Sequence, residues 1–393
     1  MSENTSPISS NDPCTEDQSS VAESCSECSG SECSGSECSD SECSDSEYSI
    51  LSDDDFEGQI NDSVQDYTLV DYIAKGSYGV VWKATKEEQV VALKIARSEE
   101  DSTREVDILT HLPNHEHIIV LLDTFMFTSN DNDQHKVMVF PLFEMDLFHF
   151  FEQHDDEEVD LPLAKELSRQ LLAGIAHMAK HNVVHSDLKP ENLLLRQVEG
   201  QYHLAIADLG CASITNNKNM GICLYGKTTH YRSPEIIVHA VNAVSCPTDV
   251  WSAACIIFEL YTNGDILFNP RHSKNLCSSL SSVDSEYSYH INYEHLALVQ
   301  ELLGPFPRKT FGKRHRGYFN AKGVLKNNPQ LNLTTLHHVI TEEIGLEEPV
   351  ATQLVEFLQP MLRYRPDRRI TAEQALVQPF LVTQSRQDQS AVV

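Results

Sequence analysis

Lysine and arginine are missing from the first 66 residues, where eighteen Asp and Glu occur, and the 393-residue chain carries a formal charge of −30. So one-signed a surface disfavours nucleic acid and anionic membrane as direct partners, favours basic ones, and also keeps an unfolded segment solvated. Long apolar runs are absent as well: no stretch approaches the ~20 residues that span a bilayer. The Ser-, Asn- and Asp-rich start has neither the basic and apolar regions of a signal peptide nor the Arg-rich pattern of a transit peptide. An intracellular monomer of cytoplasm or nucleus, without membrane contact, is expected.

Paired cysteines at zinc-binding spacing are scarce too. Six of the eleven cysteines fall in the tail, and Cys28, Cys33, Cys38 and Cys43 recur every five residues within Ser-Glu-Cys-Ser units, with Tyr48 in the next place. Only Cys25 and Cys28 have C-x-x-C separation, so metal binding is not supported, and a reducing compartment disfavours disulfides. Residues 1–66 therefore read as a disordered, acidic, low-complexity tail. Its Ser-acid steps, such as Ser29-Gly30-Ser31-Glu32 and Ser39-Asp40-Ser41-Glu42, resemble sites of acidophilic kinases, although an inert solvated tail looks the same.

What is present is 40% hydrophobic residues, enough for one two-lobed domain beyond the tail. Alternating apolar residues begin near Tyr67, and Gln and Ser dominate after Phe380, which sets the expected domain at 67–380 with a polar tail at 381–393. Ile73-Ala74-Lys75-Gly76-Ser77-Tyr78-Gly79-Val80-Val81 reads as strand, Gly-containing turn and strand, and Val91-Ala92-Leu93-Lys94 as a third strand. A helix carrying Glu105 follows, then an apolar strand at Lys136-Val137-Met138-Val139-Phe140. Leu161 to Lys180 has helical spacing and ends just before Val183-Val184-His185.

The chemistry-bearing run is His185-Ser186-Asp187-Leu188-Lys189-Pro190-Glu191-Asn192, followed by Asp208-Leu209-Gly210. Either alone could arise by chance on a polar loop. In this order, and followed by Ser233-Pro234-Glu235, Asp249-Val250-Trp251-Ser252 and Arg365-Pro366-Asp367-Arg368-Arg369, they resemble the protein kinases. The resemblance implies an α+β fold, with a small antiparallel sheet lobe and one main helix (67–143) joined to a larger, mostly helical lobe (144–380). It implies ATP and Mg2+ as cofactors. Asp187 would take the proton of the attacking hydroxyl, Lys189 would balance phosphoryl charge, and Asn192 and Asp208 would hold magnesium. Lys94 would meet the α- and β-phosphates and pair with Glu105. The nucleotide would lie among Ile73 to Val81, Ala92, Phe140, the carbonyl of Pro141, and the backbone of Phe143. Glu235 would pair with Arg369, and Asp249 would brace the catalytic loop.

Within the kinases the SR-protein kinase branch is most similar, through Val120-Leu121-Leu122-Asp123-Thr124-Phe125, Ala207-Asp208-Leu209-Gly210, Tyr231-Arg232-Ser233-Pro234-Glu235, Asp249 to Cys255, and Leu302 to Lys309. This implies protein substrates that are basic or Arg/Ser-rich. Four departures stand out. Ala74 replaces the first Gly of the loop pattern, Leu209 replaces Phe, the branch's long internal spacer is missing, and Ser186 replaces the Arg that receives an activation-segment phosphate. Serine cannot make that charge-assisted bond, so activity without activation-segment phosphorylation is expected. The compact domain, altered loop and repetitive tail are compatible with a virus-encoded member acting in a host cell.

Several features carry two readings. Asp265, Asp284, Glu286 or Glu294 would be a docking acid or solvated charge. Arg308, Lys309, Lys313, Arg314 and Arg316 form an import signal or a solvated face. Cys211 and Cys223 are packing residues or addressable thiols. The segment from Arg271 to Tyr293 reads as a flexible insertion. Two competing classes remain: a pseudokinase scaffold for basic partners, opposed by retention of the acid, base and lysine set, and a small-molecule kinase, opposed by the Ser-Pro-Glu element.

Overall fold

Alternation of apolar and polar residues builds the small lobe. The computed structural model describes residues 56–76, 78–97, 99–130, 132–154, 160–215, 229–238, 245–270, 285–307, 317–320, 324–326 and 331–382. The repeat tail, Ser77, Cys223, Asp284 and the basic cluster at 308–316 lie outside them. Six antiparallel strands are ordered β1-β2-β3-β4-β6-β5: β1 Ser63–Val64, β2 Tyr67–Gly76, β3 Gly79–Lys86, β4 Gln89–Ala96, β5 Asp123–Thr128 and β6 Gln134–Pro141. The sheet thus begins four residues ahead of Tyr67. Val91, Leu93 and Ile95 of β4 are buried with Val80 and Trp82 of β3, while Ala92 and Lys94 face the other way, as a period of two requires. Helix α1, Glu99–His111, follows and buries Glu105, Ile108 and Leu109 on one face.

The larger lobe is helical, with capping at its element starts. Asp146, ending β7 (Met145–Asp146), accepts the His149 amide at 2.8 Å and starts α2, Leu147–Gln153. Asp160 accepts the Leu163 amide and starts α3, Leu161–Lys180. Its buried Ala164, Leu167, Leu171, Leu172, Ile175 and Met178 recur every three or four residues. Each fully buried leucine contributes about 2 kcal/mol of hydrophobic stabilisation. The short α4, Pro234–Ile237, precedes α5, Cys246–Thr262, which opens on a Ser245/Thr248 capping box and stops where Asn263 turns left-handed. Helix α5 packs on α3 at the centre of the lobe.

Between α3 and α5 in sequence, β8 (Val183–Val184) pairs with β11 (Ser213–Ile214), and β9 (Leu193–Val198) pairs with β10 (Gln201–Ile206) and β7. These ladders frame both loops of the chemistry-bearing run. The architecture is the α+β, two-lobed arrangement expected. One expectation is corrected: the segment to Tyr293 is not loop throughout, because helix α6 spans Ser285–Leu303. Asn292, Leu296 and Val299 are buried at helical spacing, which extends the helix back into the Ser- and Tyr-rich stretch. No helix among the described residues is long and apolar enough to cross a membrane.

Candidate active site

Lys94 is the hub. On β4 it pairs with Val81 of β3 and Met138 of β6, and its ammonium lies 2.6 Å from Glu105 Oε2 on α1 and 2.6 Å from Asp208 Oδ1. Burial works against its charge, but the Asp208 and Glu105 carboxylates outweigh it and hold the lysine above its ordinary pKa. For Asp208 burial pushes upward, and the charge and hydrogen bond of Lys94 reverse this, so its carboxyl sits below the usual range. Asp208 has φ 57, a left-handed conformation that a short polar side chain tolerates. The family resemblance anticipated the Glu105 contact; the Asp208 contact, 114 residues away, was not anticipated.

The catalytic-loop candidates are held from below. Asp249, near the start of α5, accepts the amides of His185 at 2.8 Å and Ser186 at 3.0 Å. His185 Nε2 donates to the Ala207 carbonyl at 2.9 Å while Nδ1 accepts the Asp187 amide at 3.3 Å, so the imidazole links this loop to the residue before Asp208. Asn192 Nδ2 donates to the Asp187 carbonyl at 2.8 Å. Lys189 Nζ lies 3.8 Å from Glu191 Oε1. Burial raises the Asp187 carboxyl above the ordinary range, with the Lys189 charge opposing. Ser186 stands at φ 69, and its hydroxyl is buried without a partner.

The strand register sorts the remaining residues. Ala74, Val81 and Lys94 share one row, and Ala92 pairs with Phe140, so these five line the face that carries the ammonium. Ile73 is the extra residue at the irregularity between Tyr72 and Ala74 and is exposed. Val80 points away into the upper core, so its side chain is not in the cleft; burial with Trp82 and Leu93 fixes that orientation. Lys75 pairs with Val80 rather than with the Lys94 row. Gly76 pairs with Gly79 across the turn, and Tyr78 is half-buried within it. Phe140 is buried, whereas Pro141 at the end of β6 and Phe143 just beyond it are half-buried, with the Arg196 guanidinium 5.2 Å from the Phe143 ring.

The Ser233-Pro234-Glu235 element is anchored at depth. Both carboxylate oxygens of Glu235 accept from Arg369, one at 2.6 Å, and neither side chain is exposed. Leu209 is fully buried, filling an apolar slot beside α1. The carboxylate of Asp208 and the amide oxygen of Asn192 are hard oxygen donors of the kind magnesium takes, and the buried ammonium of Lys94 suits phosphate oxygens.

A protein kinase domain model matches residues 67–381. Among curated relatives, serine/threonine-protein kinase SRPK of Physarum polycephalum is 29% identical over 387 residues, covering 80% of this chain and 85% of that protein. Probable serine/threonine-protein kinase clkA of Dictyostelium discoideum is 30% identical over 373 residues, 80% of this chain but only 36% of that larger protein. Serine/threonine-protein kinase AFC2 of Arabidopsis thaliana is 28% identical over 359 residues, 80% and 76% of the two chains. Family match, two-lobed fold and the lysine–carboxylate hub agree, and the chain belongs to the protein kinase domain family as an enzyme similar to the SRPK, clk and AFC kinases.

Proposed function

We propose that this kinase transfers the ATP γ-phosphate to Ser or Thr hydroxyls of basic or Arg/Ser-rich proteins, and that it works without phosphate on its activation segment. The observation that carries the reading is the double ion pair of Lys94 with Glu105 and Asp208 above a catalytic loop braced by Asp249. Magnesium-bound ATP supplies the electrophilic phosphoryl group. Lys94, oriented by Glu105, holds phosphate oxygens; Asp208 and Asn192 offer oxygen ligands for the metal. Asp187 orients the acceptor hydroxyl and takes its proton, and Lys189 offsets charge on the group in flight. Most of the rate then comes from positioning and fixed charge.

Two observations support the finer points. The amides of His185 and Ser186 are bonded to Asp249, so the loop is held from within the large lobe and offers no cation at position 186 for an activating phosphate. The formal charge of −30 favours basic substrates. The test is phosphate transfer from labelled ATP with magnesium to a degenerate Ser/Thr peptide library. Unphosphorylated wild type is expected to transfer and to select Arg or Pro near the acceptor, while Asp187→Asn and Lys94→Met each lose about 10²–10⁴-fold. Equal transfer by wild type and both variants would refute the assigned roles.

A further inference from the structure

Tyr78 stands at the tip of the β2–β3 hairpin, and that tip is drawn down onto the end of β4. The Tyr78 carbonyl accepts the Arg97 amide at 3.0 Å. Its neighbour Gly79 has φ +145, and the Ile95 carbonyl oxygen lies 2.1 Å from where a Cβ would be, so no larger residue fits there. From this anchored backbone the Tyr78 side chain runs to the Leu209–Cys211 turn. Two of its ring carbons are 3.4 and 3.5 Å from the position a Cβ would take on Gly210. Its hydroxyl is 2.7 Å from Cys211 Sγ, and Lys94 Nζ is 5.8 Å from the ring centroid. The ring therefore fills the gap bounded by the hairpin tip, the lysine and the residues that follow Asp208.

We infer that Tyr78 is a gate on the nucleotide phosphates and that Cys211 is its latch. A polyphosphate that reaches Lys94 beneath this hairpin meets the Tyr78 ring first, so the ring swings away from Gly210 and the phenol–thiol contact breaks before the phosphates seat. The apparent nucleotide affinity is then the intrinsic affinity reduced by the fraction of molecules with the ring displaced. Both Tyr78 and Cys211 act through that equilibrium, as positioning residues rather than as groups in phosphoryl transfer. The inference rests on the nucleotide-site reading above, and the experiment separates the two.

Magnesium-ADP is titrated calorimetrically into the full chain carrying Tyr78→Phe, Cys211→Ala, both together, Tyr78→Ala or Lys94→Met. Phe at 78 and Ala at 211 each remove the same contact, so each is expected to tighten ADP by a similar factor of about 2–10, the worth of one hydrogen bond. The double variant gains no more than either single, the signature of one shared interaction. Tyr78→Ala removes the ring as well and tightens binding further. Unchanged or weaker binding in both Tyr78→Phe and Cys211→Ala would overturn the latch, and weaker binding in Tyr78→Ala would overturn the gate. Undiminished ADP binding by Lys94→Met would instead overturn the nucleotide-site reading itself.

Discussion

Asp187 is a carboxylate that burial makes harder to ionise, against the pull of neighbouring cations, Lys189 foremost. Its raised pKa means that it takes up a proton at a higher pH than an ordinary Asp, whose unperturbed value is ~3.9. As pH falls, the base is lost early, so kcat is expected to decline along an acid limb that lies above that value. Removing the favourable charge by Lys189→Ala should move the limb further up, besides lowering kcat. A pH–rate profile in which the limb stays at the unperturbed Asp value, or moves down in the variant, would contradict this. A single motif letter says that an Asp is present; its environment decides how it titrates.

At the scale of elements, the junction between α1 and α3 collects five histidines. His177 lies in the last turn of α3 and His181 caps that helix, His111 ends α1, and His115 and His117 come from the connection after it. The His177 ring is 4.5 Å from that of His115 and 4.7 Å from that of His181, and His177 Nε2 donates to the Pro113 carbonyl. His117 bonds the Leu204 carbonyl through Nδ1 and has Glu116 3.5 Å from Nε2. Burial, then neighbouring imidazolium charge, lowers His115; burial, His177, Lys180 and His111 lower His181; burial lowers His117 against Glu116 and Glu166, with Arg169 adding to the lowering. Farther off in α6, burial takes His295 to about 3.

A histidine whose folded pKa is depressed binds fewer protons folded than unfolded once pH drops below ~6.5. Stability is therefore unaffected by these groups above that pH and falls as pH drops through it toward the folded values. The thermal midpoint is expected to fall between about pH 7 and pH 5.5, and to fall less in His115→Gln/His181→Gln, because two of the histidines with depressed folded pKa are then removed. Equal slopes in the two proteins would remove the cluster from the account. Helix α1 also carries Glu105, so acid loosening of this junction reaches the Lys94 hub.

For the molecule as a whole, Glu235 and Arg369 tie together segments 134 residues apart. Arg369 also donates to the carbonyls of Arg363 at 2.7 Å and Pro247 at 3.0 Å, and lies 5.1 Å from the Trp251 ring centroid. Truncating one partner strands a buried charge, so Arg369→Ala should cost about 3–5 kcal/mol in denaturant unfolding. Arg369→Lys should be nearly as damaging, since an ammonium lacks the planar fork for both carboxylate oxygens. A loss under about 1 kcal/mol in Arg369→Ala would show that the pair is not desolvated as described. The same anchor holds the Ser-Pro-Glu element, so the peptide ledge and the stability of the large lobe are expected to fail together.

Most of the local structure could be read from the chain alone, because it is written in short-range physics. Period-two alternation marks β4, and three-and-four spacing marks α3. The residue types of the chemistry-bearing run were legible for the same reason: base, lysine, amide and carboxylate stand in one order that few other chemistries need. What required the folded molecule were contacts between positions with no local relation. Lys94 reaches Asp208, Tyr78 reaches Cys211, and histidines at the end of α3 stack on those of the connection after α1, because packing of elements places them together and no periodicity encodes it. Helix α6 was obscured by Ser- and Tyr-rich composition until burial of Asn292, Leu296 and Val299 revealed its inner face. Val80 shows the same division: its place in the strand was plain, and only the core beneath Trp82 decided which way it points.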